Sequence, residues 1–291
     1  MTETSAAEHP LPQIADRQTW QAKIDELRVK EKAHTKAGDA LAAERRRLPM
    51  VEVDPQTPLI GADGPVPLID IFDGRSQLIA YFHMWHTGRP AAEQCEGCTF
   101  NTSHITELAY LHSRGVSYAV FSEGPYEEAS RYRDFMGYPV PWYSVPQDSV
   151  QRLVANRHFG ILVCYLRNGD KVYETYWTTG RGDEVMAPSY GLLDRTVYGR
   201  QEFWEDSPEG WPQRWGSKGW PVSAERPPDR PMVTDPGRAR RRPRHNARRM
   251  DCVFLLIALW TTGRGNEVMG PFVASRRSRV LSAGHPRLAR R

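Results

Sequence analysis

The sequence predicts an α/β fold in three layers, a central mixed β-sheet flanked by helices, and two patterns carry that expectation. Apolar runs of strand length alternate with helix-length segments from about residue 69 to residue 197, an order that favours parallel strands joined by crossover helices. The last two runs, 161–167 and 171–177, instead flank Asn168-Gly169-Asp170, a turn signal that adds an antiparallel hairpin at one edge of the sheet. A chain of 291 residues, 40% apolar and 10% aromatic, can bury a core of ordinary size and still carry appendages.

The elements follow in order. Residues 16–47 read as a polar, charge-rich helix with Ile24 and Leu27 on one side. Arg45-Arg46-Arg47-Leu48-Pro49 ends it, because proline disfavours helical geometry in the residue before it. This gives an N-terminal helical arm over 1–50, packed on the domain or on a second copy of the chain as a homodimer contact. Ile69-Asp70-Ile71-Phe72 reads as a short strand that turns at Asp73-Gly74-Arg75. Residues 77–85 are nearly all apolar, like a strand buried on both faces of a sheet. After a loop, the stripe Phe100, Ile105, Leu108 and Leu111 predicts a helix over 99–112, closed by Arg114-Gly115. Residues 116–121 form the next strand, and Pro125 opens a helix that ends at Met136-Gly137. Residues 140–145, interrupted by Pro141, make an edge-like strand; 150–159 is a short helix and 183–197 the last one. The domain so built spans 51–215.

Cys95-Glu96-Gly97-Cys98 lies between the long strand and the helix that follows it. Two thiols at i and i+3 can close a disulfide with little backbone movement. Free amides and the dipole at a helix N-terminus stabilise a thiolate. A C-x-x-C in a strand–helix context therefore reads as a thioredoxin-like redox motif, and thiol–disulfide oxidoreduction through Cys95 and Cys98 as catalytic residues, with no bound cofactor, is the function it points to. Glu96 should oppose thiolate formation by like charge, while Arg89, His83 and His86 could offset it, as could Arg157 or Arg181 if folding brings either near. Two other chemistries compete. His83, His86, Cys95 and Cys98 are a legitimate zinc set for a non-catalytic binding module, although a strand points residues 83 and 86 to opposite faces. A thiol peroxidase would form sulfenic acid at one cysteine. The blandest account is two buried core cysteines. Cys164, between Val163 and Tyr165, reads as a small core residue.

The order of elements is the thioredoxin-like arrangement, with the extra segments of peroxiredoxins. Phe82-His83-Met84-Trp85, Cys95-Glu96-Gly97-Cys98-Thr99-Phe100, 176–182 (YWTTGRG) and 198–208 (YGRQEFWEDSP) resemble the bacterial thioredoxin-like proteins grouped as a domain of unknown function, over roughly residues 15–215. The resemblance implies a thioredoxin-like fold and dithiol–disulfide exchange with a protein or small-molecule thiol or disulfide; it supplies no substrate. By likeness to thioredoxins, Cys95 is the nucleophile and Cys98 the buried resolving thiol. The chain departs from both patterns. Phe159-Gly160 stands where thioredoxins carry a proline before the hairpin, and Thr87 and Pro90 are not at peroxiredoxin spacing from Cys95.

The net charge of +4 hides a split. Residues 236–291 hold fourteen Arg against Asp251 and Glu267, a charge of +12, which leaves −8 for the rest. Residues 216–291 read as a basic, disordered tail, and its Pro- and Arg-rich part, 216–250, with no aromatic interleaving of its basic run, suggests phosphate contacts at most and no specific nucleic acid. Residues 177–188 recur at 260–271 with ten of twelve positions matching, which looks like a duplicated gene fragment. No apolar run reaches the length of a membrane span, the N-terminus lacks an apolar signal core, and four cysteines are too few for a disulfide scaffold. A cytoplasmic setting, with no membrane partner, is the expectation.

Overall fold

Residues 10–213 are described by the computed structural model; the basic tail, the repeat at 260–271 and Cys252 lie outside the described residues. Helix α1 (Arg17–Arg45) begins where Asp16 caps it, its carboxylate accepting from Thr19 N at 2.8 Å. None of its residues is buried, and Leu27 is half-exposed. Its last turn meets the sheet through Arg45, whose guanidinium lies over the Tyr176 ring.

Strand β1 (Val51–Val53) and the hairpin β2 (Pro58–Gly61) and β3 (Gly64–Pro67) precede the core of the sheet. The short strand expected at 69–72 is instead a 3-10 helix, Leu68–Phe72. Its sequence explains why. Leu68, Ile69, Ile71 and Phe72 are all buried, and a three-residue turn stacks the first with the third and the second with the fourth. Alternation at 69 and 71 fits that turn as well as it fits a strand.

Strand β4 (Gln77–His83), helix α2 (Glu96–Ser103), helix α3 (Ala109–His112) and strand β5 (Val116–Ser122) make a parallel crossover, with Gln77 to His83 facing Val116 to Ser122 in register. Helix α4 (Tyr126–Met136) then leads to β6 (Trp142–Ser144), again parallel, and α5 (Gln147–Leu153) follows. The hairpin β7 (Ile161–Asn168) and β8 (Lys171–Thr179) runs antiparallel to β4. The 3-10 turn Gly180–Met186 and α6 (Pro188–Leu193) close the described domain.

Strand order is β1-β8-β7-β4-β5-β6-β2-β3. Its centre, β5-β4-β7-β8 with one parallel pair and two antiparallel ones, is the thioredoxin-like arrangement, and helices cover both faces. Two expectations about edges change. The third strand, β6, is not an edge, because β2 bridges it at Ile60 and Ser144; nor is the terminal hairpin, because β1 pairs with β8.

Two helices are shorter than their patterns suggest. The one expected over 99–112 starts earlier, at Glu96, and breaks at Ser103. There Ser103 Oγ and His104 Nδ1 both reach the Phe100 carbonyl, at 2.7 Å each, and satisfy it in place of the helix ladder. The one expected over 183–197 divides at Ala187, because Pro188 forces an extended residue before it.

Alternation along β4 feeds two cores. Leu78, Ala80 and Phe82 enter one with Phe72, Phe121, Leu153 and Val163. Tyr81 enters the other with Trp85, Cys98, Val120, Tyr132 and Trp142. Trp85 is packed against backbone: a Cβ built on Gly124 would stand 1.9 Å from its Cδ1. Gly124→Ala is therefore expected to destabilise the protein by at least ~1–3 kcal/mol through overpacking, seen as a lower urea midpoint at unchanged slope. Gly38→Ala, mid-α1 with nothing within 4 Å, should raise the midpoint; equal behaviour of the two variants would contradict this packing.

Candidate functional site

The dithiol sits at the start of a helix, as the sequence places it, and that helix begins three residues before its stripe suggests. Cys95 is the N-cap of α2: its sulfur accepts from Cys98 N at 3.5 Å, and its carbonyl takes Thr99 N at 2.9 Å and Thr99 Oγ1 at 2.8 Å. Cys95 is partly exposed and Cys98 is 1% exposed, and neither is in a disulfide.

Position sets their acidities apart. The Cys95 thiol is lowered to about 6, first by the hydrogen bond from the Cys98 thiol, then by the N–H groups of Cys98 and Gly97 and the nearby His86, with burial opposing. Cys98 is pushed well up, by that same hydrogen bond and by burial. The fold thus separates the two thiols into an acidic, accessible one and a protonated, buried one.

The residues around Cys98 are ones the sequence did not single out. The Tyr81 hydroxyl hydrogen-bonds the Cys98 sulfur and accepts from Asn101 Nδ2 at 3.3 Å. Thr99 Oγ1 meets the Tyr132 hydroxyl at 2.5 Å, and Tyr132 feels the charge of both cysteines. Beneath them lies Asp183, fully buried on the 3-10 turn after β8, close enough to disfavour ionisation of Tyr81 and Tyr118. Neither Asp183 oxygen has a hydrogen bond of ordinary geometry. Burial lifts its carboxyl to about 7, and the Leu162 N–H offsets only part of that. The sequence pattern begins its last helix at this residue, and nothing in a one-dimensional pattern shows that Asp183 points inward.

His83 and His86 do not form a zinc set with the cysteines. His83 is wholly buried, its Nδ1 on the Met84 carbonyl at 2.7 Å and its ring among Tyr81, Trp85, Tyr132 and Trp142. Desolvation lowers it to about 4, so it is neutral and lends the thiolate no charge. His86 is exposed, with Nδ1 on the Glu93 carbonyl. Among the described residues no three His, Cys, Asp or Glu side chains gather as a metal site. The arginines proposed as helpers are engaged elsewhere: Arg157 pairs with Glu174, Arg181 with Glu184, and Arg89 with Glu93. Cys164, expected in the core, lies mid-β7 only partly buried and in neither core cluster, with its thiol raised to about 11 by desolvation.

The two departures from known patterns have structural reasons. Gly160 adopts φ +84 and donates its N–H to the Phe82 carbonyl at 2.7 Å, and proline can do neither. Thr87 and Pro90 both lie on the exposed loop before α2. That loop is tied from inside by Gln94, whose side chain accepts from His86 N and donates to the His86 and Arg89 carbonyls.

A sequence profile described as "Bacterial protein of unknown function (DUF899)" matches residues 9–218. The chain belongs to that family. The DUF899 match spans the arm, the dithiol and the 198–208 segment, in accord with the resemblance read from the motifs. No curated protein matches the chain. Among solved structures, a thiol:disulfide interchange protein from Bacteroides sp. is similar at 17% identity, covering 53% of this chain and 94% of its own, with a TM-score of 0.36. Apo Sco1 from Thermus thermophilus shows 18% identity, 50% and 94% coverage and a TM-score of 0.32. Peroxiredoxin Q from Xanthomonas campestris shows 15% identity, 47% and 92% coverage and a TM-score of 0.32. No helix among the described residues is long and apolar enough to cross a membrane.

Two outcomes follow from the electrostatics. Iodoacetamide should alkylate Cys95 with a pH midpoint near 6; Cys98→Ala, which removes the thiol donor, should move that midpoint up towards the ordinary value, and Cys98→Ser should largely keep it. An unchanged midpoint in the alanine variant would remove the hydrogen bond as the cause.

The second outcome concerns stability. His83 stays neutral in the fold down to about 4 but charges at 6.5 when unfolded, so stability is lost as pH falls through that window. Asp183 acts oppositely: its carboxyl stays protonated in the fold up to about 7 but ionises above 3.8 when unfolded, so stability is lost as pH rises. Asp183→Asn should therefore make acid destabilisation between pH 6.5 and 4 steeper than in the wild type, by roughly 3 kcal/mol at 1.36 kcal/mol per unit. Parallel stability curves would show that Asp183 is ordinarily ionised.

Proposed function

We propose that this DUF899 chain is a thiol–disulfide oxidoreductase that works through Cys95 and Cys98. The observation that carries the reading is the division of the pair by the start of α2, with the low-pKa sulfur of Cys95 at the mouth and the protonated thiol of Cys98 one turn below. A thiolate is the attacking species in disulfide exchange. In the reducing direction the Cys95 thiolate attacks one sulfur of a substrate disulfide, the substrate S–S bond breaks, and the leaving thiolate takes a proton from solvent. The Cys98 thiol then loses its proton and attacks Cys95 Sγ. The Cys95–Cys98 disulfide forms, the second substrate thiolate leaves, and the substrate has gained the two electrons that the dithiol has lost. A thiol donor of the cell restores the dithiol. The steps reverse when the partner is a dithiol, and a cytoplasmic setting suits a resting reduced pair.

Tyr81 is placed to steady the Cys98 sulfur as its proton departs, since its hydroxyl already bonds that atom. Asp183 lies behind it as a buried carboxyl with a pKa near 7.

The test is equilibration of the full-length protein in glutathione redox buffers, followed by alkylation and peptide mass spectrometry. A reversible Cys95–Cys98 disulfide with one midpoint is expected, and Cys98→Ser should trap a mixed disulfide on Cys95. Thiols that never pair, or sulfenic acid at Cys95 on brief peroxide exposure with no dithiol couple, would replace this reading.

A further inference from the structure

The loop that precedes α2 and the outer face of α4 enclose a cleft of about 500 Å³, within the ~300–1,000 Å³ of small-molecule sites. Neither cysteine lines it, but its wall reaches the dithiol helix. Tyr132 forms part of its wall, bonds Thr99 within the active helix and feels the charge of both cysteines. Trp85 and Ala91, also in the wall, pack in the same core as Cys95.

Its chemistry is two-sided. Trp85, Tyr132 and the part-exposed Phe135 offer aromatic surface, while Arg89, Arg131 and Glu128 offer charge. Glu128 has a structural task. Its Oε2 accepts from Trp85 Nε1 at 3.1 Å and from Gly88 N at 3.0 Å, so it staples the loop to α4. Those donors hold it ionised, the Gly88 N–H foremost. Arg89 is drawn to Glu93 at 3.3 Å. Arg131 is exposed, makes no ion pair or side-chain hydrogen bond among the described residues, and adds its charge to what holds Glu128 ionised. The lining therefore carries two cations against one anion, with a guanidinium left to bind.

We infer that this cleft is the substrate subsite of the dithiol and that it selects low-molecular-weight disulfides whose ends carry carboxylates, the carboxylate meeting Arg131 and the body of the half-disulfide lying on Trp85, Tyr132 and Phe135. This rests on the oxidoreductase reading for the word substrate; the cleft and its ligand class stand on the geometry above. A guanidinium is suited to a carboxylate by its planar fork of donors, and aromatic walls bury an apolar stem without losing much side-chain freedom. The cleft is too small to seat a folded protein, whose interfaces cover about 800 Å² on each side.

The test uses the reduced full-length protein in a single turnover, which needs no electron donor. Glutathione disulfide, which bears carboxylates, and cystamine, which bears only ammonium groups, are mixed with it, and disulfide formation is followed by acid quench and mass spectrometry. Wild type should react faster with glutathione disulfide. Arg131→Glu should slow that reaction by about five- to ten-fold, as expected for reversing one partly exposed charge, and should not slow cystamine. Phe135→Ala should slow both. Equal losses with both disulfides, or none with either, would overturn the assignment. A second measurement separates it from the redox reading: titration calorimetry with S-methylglutathione, which has the carboxylates but no disulfide. Binding that weakens in Arg131→Glu supports the cleft even if the cysteines never pair, and absence of binding to the wild type overturns it even if they do.

Discussion

Everything at this site descends from the burial of β4 on both faces. A strand with helices above and below has to send its odd and even side chains into two separate cores, and here Phe82 goes one way while Tyr81 and His83 go the other. The dithiol helix lies on the Tyr81 side, so the chain must leave the end of β4, turn outward and come back to bring Cys98 over that face. The polar atoms that enter with it, the Tyr81 hydroxyl, Asn101 and Asp183, are there because the helix must cover something and the covered residues happen to be polar. Such burial carries a desolvation cost, offset where the buried groups hydrogen-bond one another.

The consequence for acidity is a division of labour by depth. Close to the surface, N–H groups of the first turn of α2 point at Cys95 and outweigh its partial burial. One turn further in, the Tyr81 hydroxyl and the Met84 N–H face Cys98, but its hydrogen bond to Cys95 and its burial outweigh them, and the balance tips the other way. The same depth neutralises His83 despite its hydrogen bond to Met84. Helix position and desolvation govern the site.

Much of this was legible in the sequence because it depends on local spacing. The C-x-x-C, the long apolar strand, the Asn168-Gly169-Asp170 hairpin and Pro125 at a helix start are all statements about residues within a few positions of each other. The readings that changed depend on distant partners. Val140 to Val145 looks like an edge until β2 arrives from residues 58–61. The helix stripe over 99–112 is blind to Ser103 and His104 competing for the Phe100 carbonyl. Asp183 and Glu128 look like ordinary surface acids, and only the fold shows that one is buried and that the other reaches across forty residues to Gly88.

The loop between β4 and α2 has one further consequence. It carries little regular structure, yet Gln94 occupies its centre with three backbone hydrogen bonds and Glu128 holds its outer rim. A loop tied at both its middle and its margin surrenders its conformational entropy when the protein folds, and has little left to surrender when something docks against it. Affinity for a small ligand can then be modest in contacts and still sufficient, and differences between ligands will register mainly in how fast they leave rather than in how fast they arrive.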